Sequence, residues 1–382
     1  MAKKERTFVG LYCGPSADGV DAALVTVAGQ GEKMKAKQAH FLCLPMPQPL
    51  RDRLHKVASG WAGAASDLAR LSRDVGALLS RACGAALKAG RVPAKYVSGI
   101  GVMGPVAAYV PPTPSEGHGW AIALDSAATV ARTMRLPVAS GFELSDLSAG
   151  GVGGPVWAWP DWLLFRDDRL SRVVVQLGAI ASISFVGSAA AACEVVAMDT
   201  GPGTILIDAI TQRLFDRPMD EDGAIAARGK VNEALLNELL AGEYFHRAPP
   251  KRTHWADWSG AALQRLEIMA GKHRSQAVDL MATVTELTAR TVARDVLART
   301  ERPHEVILAG GGAKNIHLAG RIRHLLSPCS TYAAERYGLD VRAHGAVCCA
   351  VLAAARLDEF PAHCRAASGA EEPVVLGAVW VP

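Results

Sequence analysis

Little in this chain points outward to nucleic acid, to a membrane or to an oxidising compartment. Of its 382 residues, 41 are Lys or Arg and 37 are Asp or Glu, a formal net charge of +4. Charge so evenly balanced lacks the basic stripe that binding to a phosphate backbone requires. The two short basic stretches, "MAKKER" at the start and "EKMKAK" at 32–37, read as a solvated tail and a loop or strand edge. No uncharged apolar run reaches the ~18 residues of a membrane span. The N-terminus has no long apolar region before its first Gly-Pro turn, so no signal peptide is expected. The cysteines stand at 13, 43, 83, 193, 329, 348, 349 and 364, with no C-x-x-C pair and no histidine at zinc-ligand spacing. Free thiols in a reducing compartment follow, not a disulfide frame or a structural metal. A cytoplasmic, soluble protein is expected.

What is present is core-forming material. Half the residues are apolar and a fifth are charged, and the length exceeds what one core usually supports, so two domains are expected. "TFVGLY" at 7–12 and "VDAALVTV" at 20–27 are strand-like. The turn formers "CGPSADG" between them predict a hairpin whose tip carries Gly14, Ser16, Asp18 and Gly19, with Asp21 just after. A helix is predicted from Asp67 to Lys88, with Leu68, Leu71, Val75, Leu78 and Ala82 on one face, Ser66 as its cap and Gly90 as its stop. A strand follows at 96–103 and a loop at 111–119.

The second half repeats this logic. "RVVVQLGAIASISFV" from 172 and "EVVAMD" are strands that end in a glycine turn bearing an acid. Residues 276–297 form a helix, "EVILAGGGAKN" at 305–315 is a buried strand running into three glycines, and 342–357 is a largely buried helix. "PVVLGAVWV" is read as a terminal strand. Strands and helices alternating twice, with glycine turns in three places, give an α/β protein of two lobes with a ligand cleft between them.

"AMDTGPGTILIDAI", 197–210, carries the most chemistry. Asp199 ends an apolar run, a Gly-Pro-Gly turn follows, and then a helix begins. Unsatisfied N–H groups at a helix start suit a phosphate, and a carboxylate nearby suits a metal or a proton-accepting base. An ordinary strand–turn–helix connection is the other reading. "GAIAARGKV" at 223–231 has the wrong glycine spacing for a phosphate loop and no Ser or Thr after Lys230. Cys348 and Cys349 read as core, and His344 as a satisfied polar residue. Trp157, Trp159 and Trp162 are either core or a stacking surface for a sugar.

Together these segments resemble the anhydro-N-acetylmuramic acid kinase family, nearly end to end. "FVGLYCGPSADGVDAALV" is similar to the family opening S-G-T-S-x-D-G-[IV]-D after its first strand, and "MDTGPGTILIDAI" to its D-T-G-P-G-N segment. "DLMATVTELTA", "AGGGAKN", "YGLDVRAHGAVCCAVLA" and the closing "VVLG" fall in the family's order. The resemblance implies two actin-like (ribonuclease-H-like) lobes, of the sugar kinase, heat-shock ATPase and actin superfamily. One lobe would comprise 1–130 plus about 345–382, and the other 131–344. It implies ATP and Mg²⁺ as cofactors and an amino sugar as substrate, whose 1,6-anhydro ring is opened by water as O6 is phosphorylated in peptidoglycan recycling. A homodimer is implied as well. Asp199 would be the base; Gly14, Ser16, Asp18, Gly19, Asp21, Gly201 and Gly203 would face the phosphates, with Asp18 on Mg²⁺. Gly310, Gly311 and Gly312 would make room for the nucleoside, and Asp146 and Lys251 would belong to the substrate site.

The departures from the family pattern fall on the same segments. Pro15 replaces Thr in the hairpin, and Met103 and Pro105 stand in place of His and Gln. Glu143 replaces an Arg, reversing charge. Gln176 and Ser182 replace two Asn, and Thr204 replaces another. "PPKRTHWADW" keeps Lys251 but loses S-T-G-R-E, and His344 and Gly345 stand for Glu-Ala. Two readings follow: a kinase with altered sugar specificity, or a non-catalytic homologue that keeps the frame as a nucleotide- or partner-binding module.

Overall fold

Near-continuous apolar runs in "RTFVGLY" and "GVDAALVTVA", buried on both faces, make an antiparallel pair, β1 (Arg6–Tyr12) and β2 (Gly19–Ala28), in the computed structural model, which describes residues 5–113, 115–298 and 302–382. β3 (Lys35–Pro45) extends the meander as an edge strand, and its lysines at 35 and 37 lie on that edge. β4 (Val97–Met103) then returns parallel to β1. A separate hairpin, β5 (Val106–Val110) with β6 (Trp120–Ala123), projects before β7 (Val138–Ser140) pairs parallel with β4.

The second lobe repeats the plan with β8 (Arg172–Leu177), β9 (Ile180–Val186), β10 (Val196–Pro202), β11 (Glu305–Ala309) and β12 (Ser330–Ala333). In each lobe the main strands lie in the order third, second, first, fourth, fifth. The first three are antiparallel and the fourth and fifth run parallel to the first. Two copies of one strand order, each with its own helices, are the expected two-lobed, actin-like sugar-kinase fold. β7 belongs to the first sheet, so that lobe runs past the limit expected at 130. Only Ala378–Trp380 of the terminal segment becomes a strand, β13, at the far edge of the first sheet.

The helix Ala65–Ala89 buries Leu71, Val75, Leu78 and Ala82 as its periodicity requires, while Leu68 is only half-buried. Ser66 lies inside the helix and caps nothing; the N-cap position is Ala64. No helix among the described residues is long and apolar enough to cross a membrane. All eight cysteines are free thiols.

The helix His344–Leu357 is buried on every side from His344 to Ala355, so it packs between layers and has no solvent face. Two glycines of the first sheet make room for it. A Cβ on Gly10 would stand 1.7 Å from the Ala346 carbonyl oxygen, and one on Gly101 1.9 Å from that of Cys349. Since backbone cannot yield as a side-chain tip can, Gly101→Ala is expected to cost about 2–3 kcal/mol, read as a lower urea midpoint with unchanged slope. An unchanged midpoint would show that the helix floats on the sheet.

Candidate active site

Asp199 lies within β10, not at its end: the strand continues to Pro202, and its register with β9 shifts between Asp199 and Gly201. Such an irregularity re-aims side chains beside active sites. The segment after the cis-proline pair 249–250 fastens the residue from the other side. The Asp199 N–H donates to Lys251 O at 3.1 Å, and the Thr253 N–H donates to Asp199 Oδ2 at 3.0 Å. Tyr244 donates its hydroxyl to the Asp199 carbonyl at 2.8 Å. Burial pushes the Asp199 carboxyl up to about 6, against the pull of the Arg252 guanidinium. A carboxylate so placed is ionised at neutral pH and still basic enough to take a proton.

Asp199 faces a compartment whose walls include Tyr12, Met103, Pro105, Trp157, Ile180 and Trp255. A second compartment is formed by Gly14, Ser16, Asp18, Gly19 and Asp21 of the hairpin, with Gly310, Gly311 and Gly312 opposite. Tyr12, Gly14, Pro15, Gln176 and Ala179 line both, so the two spaces join at the hairpin tip. Gly310 has φ 86°, and a Cβ there would sit 2.0 Å from Gln176 Oε1. That Oε1 is buried and has no hydrogen-bond partner among the described residues. A buried acceptor of this kind is costly unless a ligand donates to it.

Within the second compartment Ser16 Oγ donates to Asp18 Oδ1 at 2.7 Å. Arg342 reaches across with Nη2 on Asp18 Oδ2 at 2.6 Å and Nε on Asp21 Oδ1 at 2.8 Å. Burial disfavours ionisation of both acids. For Asp18, Arg342 and Ser16 outweigh it and hold the carboxyl below its ordinary range; for Asp21, burial outweighs the guanidinium and the carboxyl is raised. Asp208, in the helix Ile205–Phe215, also lines this space. Burial pushes its carboxyl up to about 7, against a hydrogen bond with Thr204 and with a further push from the charge of Asp18.

The profile of one family, anhydro-N-acetylmuramic acid kinase, matches residues 6–382. The chain belongs to that family. Proteins named anhydro-N-acetylmuramic acid kinase from Gloeobacter violaceus and Salinibacter ruber are 34% and 33% identical to it. The first alignment covers 97% of each chain, the second 100% of this chain and 97% of the relative. The protein of that name from Clostridioides difficile is 28% identical, with 97% of each chain covered.

Against the family pattern, several expected site residues have other surroundings. The N–H groups of Gly203, Thr204 and Ile205 donate to the carbonyls of Ala179, Gly178 and Ala179 at 2.8, 2.9 and 3.2 Å. The helix start therefore clamps the β8–β9 turn and does not offer these donors to phosphate, as the sequence had led us to expect. Gly203 is needed for that closeness, since a Cβ would stand 2.0 Å from Gly178 O, and Gly201 with φ 140° packs on Phe245. Neither lines the second compartment. Asp146 is 1% exposed; it accepts from the Gly153 N–H at 2.6 Å and lies 2.6 Å from His363 Nε2. Lys251 is turned away and paired with Asp295 at 2.8 Å. Both stand behind the site and shape it.

The charge reversal at Glu143 is answered locally. Arg252 donates from Nη2 to Glu143 and from Nη1 to Gly153 O, and lies 4.7 Å from the Tyr109 ring centroid. Trp157 is the tryptophan that faces the compartment beside Asp199, with its Nε1–H on Ser182 Oγ at 3.3 Å; Trp159 and Trp162 are core. His344 is only half satisfied: Nε2 lies 2.6 Å from Asp161 and 3.6 Å from Cys348 Sγ, and Nδ1 has no partner among the described residues. His344 and Cys348 are four residues apart on one helix, and only Asp161, 183 residues away, is hidden by chain distance. Arg252, Asp208 and Arg342 were also missed. Only Asp208 had a signal, an acid inside the apolar start of the helix after the Gly-Pro-Gly turn.

Proposed function

We propose that this chain is an ATP-dependent kinase that opens a 1,6-anhydro amino sugar with water and phosphorylates its O6, the anhydro-N-acetylmuramic acid reaction of cell-wall recycling. The observation that carries the proposal is Asp199, held by Thr253 and the Lys251 carbonyl at the wall of one compartment that opens into another. Its carboxylate takes the proton of a water that attacks C1. As the C1–O6 bond breaks, O6 becomes the nucleophile for the γ-phosphoryl group held beyond Pro15. Gly14, Ser16 and Gly19 approach the triphosphate, and Gly310 to Gly312 leave room for the nucleoside. Family membership from residue 6 to the end favours this reading over a non-catalytic binding module.

The residues present fit Mg²⁺. Asp18 and Asp208 offer hard oxygen donors from the two lobes; burial above all raises the Asp208 carboxyl, and the charge of Asp18 adds to it. These two would hold the ion, with Arg342 yielding Asp18, and the ion would neutralise charge on the phosphates. Incubation of the purified chain with Mg²⁺–ATP and 1,6-anhydro-N-acetylmuramic acid in ¹⁸O-water tests the proposal. A 6-phosphorylated sugar with ¹⁸O at C1 is expected. Absence of ADP and of phosphorylated product overturns it. Light scattering on the same preparation reads out the homodimer that the family resemblance implies.

A further inference from the structure

The compartment beside Asp199 has an unusual charge inventory for a site meant to take an acidic sugar. Its ionisable lining groups are Tyr12, Cys13, Glu143, Asp199, Arg252 and His254. Burial keeps the Tyr12 phenol and the Cys13 thiol neutral, and pushes the His254 imidazole down to about 4, so it too is neutral. Two carboxylates therefore face one guanidinium. That guanidinium is already committed, through Nη2 to Glu143 and through Nη1 to the Gly153 carbonyl. The nearest other cation of this segment, Lys251, is turned away to Asp295. The site carries an excess negative charge before a nucleotide adds its own.

The remaining surface suits a neutral, hydroxylated ring. Trp157 and Trp255 offer aromatic surface, and Met103, Pro105, Val156 and Ile180 are apolar. Gln176, which lines both compartments, has an Oε1 without a partner among the described residues, an acceptor open to a ligand hydroxyl. N-acetylmuramic acid differs from N-acetylglucosamine by a lactyl ether that ends in a carboxylate. Bringing that carboxylate beside Glu143 and Asp199, out of water and without a free cation, is unfavourable on both counts, desolvation and like charge.

We propose that this site takes a neutral 1,6-anhydro sugar in preference to the same sugar bearing a lactyl carboxylate, with Glu143 as the residue that sets the preference. The inference rests on the kinase reading and narrows its substrate class. Glu143 acts by charge; its pairing with Arg252 removes the cation on which a carboxylate would otherwise land.

The test compares 1,6-anhydro-N-acetylglucosamine with 1,6-anhydro-N-acetylmuramic acid under Mg²⁺–ATP, using the full chain and quantifying ADP and sugar phosphate. The expected result is a kcat/KM at least tenfold higher for the neutral sugar, mostly through KM. Glu143→Gln is expected to shrink that ratio at least threefold, because it frees Arg252 for the carboxylate while keeping side-chain size. A lactyl sugar used as well as or better than the neutral one overturns the inference and leaves the kinase reading standing. A folded Glu143→Gln variant with an unchanged ratio overturns the role of Glu143. Failure of both sugars, with ATP bound, overturns the kinase reading and this inference with it. The wild-type ratio decides the preference even where the variant fails to fold.

Discussion

Replacing Asp199 by asparagine is expected to lower sugar phosphorylation by about 10³-fold or more, since a positioned general base supplies roughly 10²–10⁴ of rate. The same change is expected to make the protein more stable at neutral pH. The folded carboxyl titrates near 6, above the ordinary value of about 3.9. Its protonated form thus favours folding fully below about pH 4, and that contribution is lost as pH rises through 6. At pH 7 the ionised group is a burden of order 1–3 kcal/mol, which asparagine removes. A rise of roughly 1–4 °C in Tm together with loss of turnover is the expected pair of results. Nucleotide binding, measured by calorimetry, stays near the wild-type value, because Asp199 lines the other compartment. In the wild type kcat/KM should fall about tenfold per pH unit below 6 and level off above it. Turnover that survives in the variant, or a flat acid limb, removes Asp199 as the base.

How much of this was legible in the sequence follows the range over which each signal acts. The hairpin from Arg6 to Ala28 is written locally, as two apolar strand-like runs around a turn cluster, and it folds as read. The two-lobed repeat is legible as strand–glycine–acid punctuation that occurs twice, whereas the strand order within each sheet is set by long-range pairing. The helix start after Asp199 was misread because a Gly-Pro-Gly turn looks the same whether its N–H groups meet phosphate or protein. Only the β8–β9 turn, more than twenty residues earlier, decides that Gly203, Thr204 and Ile205 are already bonded. Glu143 reads as a lone charge reversal, and its answer, Arg252, is 109 residues away. Arg342 has no local signal at all, because its partners Asp18 and Asp21 are 324 and 321 residues distant.

That last pairing carries the second large effect. Arg342→Ala is expected to weaken Mg²⁺–ATP binding by roughly 10- to 100-fold, as two charges a few ångströms apart near a protein surface interact by a few kcal/mol. With the guanidinium, the Asp18–Asp21 pair leaves one net negative charge beside the phosphates; without it there are two. Two effects then compete. Loss of the cation repels the nucleotide, while release of Asp18 gives Mg²⁺ a freer ligand. The first is expected to win, because Asp21 faces the same space and gains no cation of its own. Excess Mg²⁺ should therefore restore only part of the affinity. Arg342→Lys should restore part as well, since a single ammonium lacks the fork that reaches Asp18 with Nη2 and Asp21 with Nε. Arg342 also ties the first-lobe hairpin to the turn Val341–Ala343 that leads into the buried helix. The alanine variant should then lose stability modestly, by about 1–2 kcal/mol for a partly exposed pair. An alanine variant that binds nucleotide as tightly as wild type would mean that Arg342 serves the hairpin alone and not the phosphates.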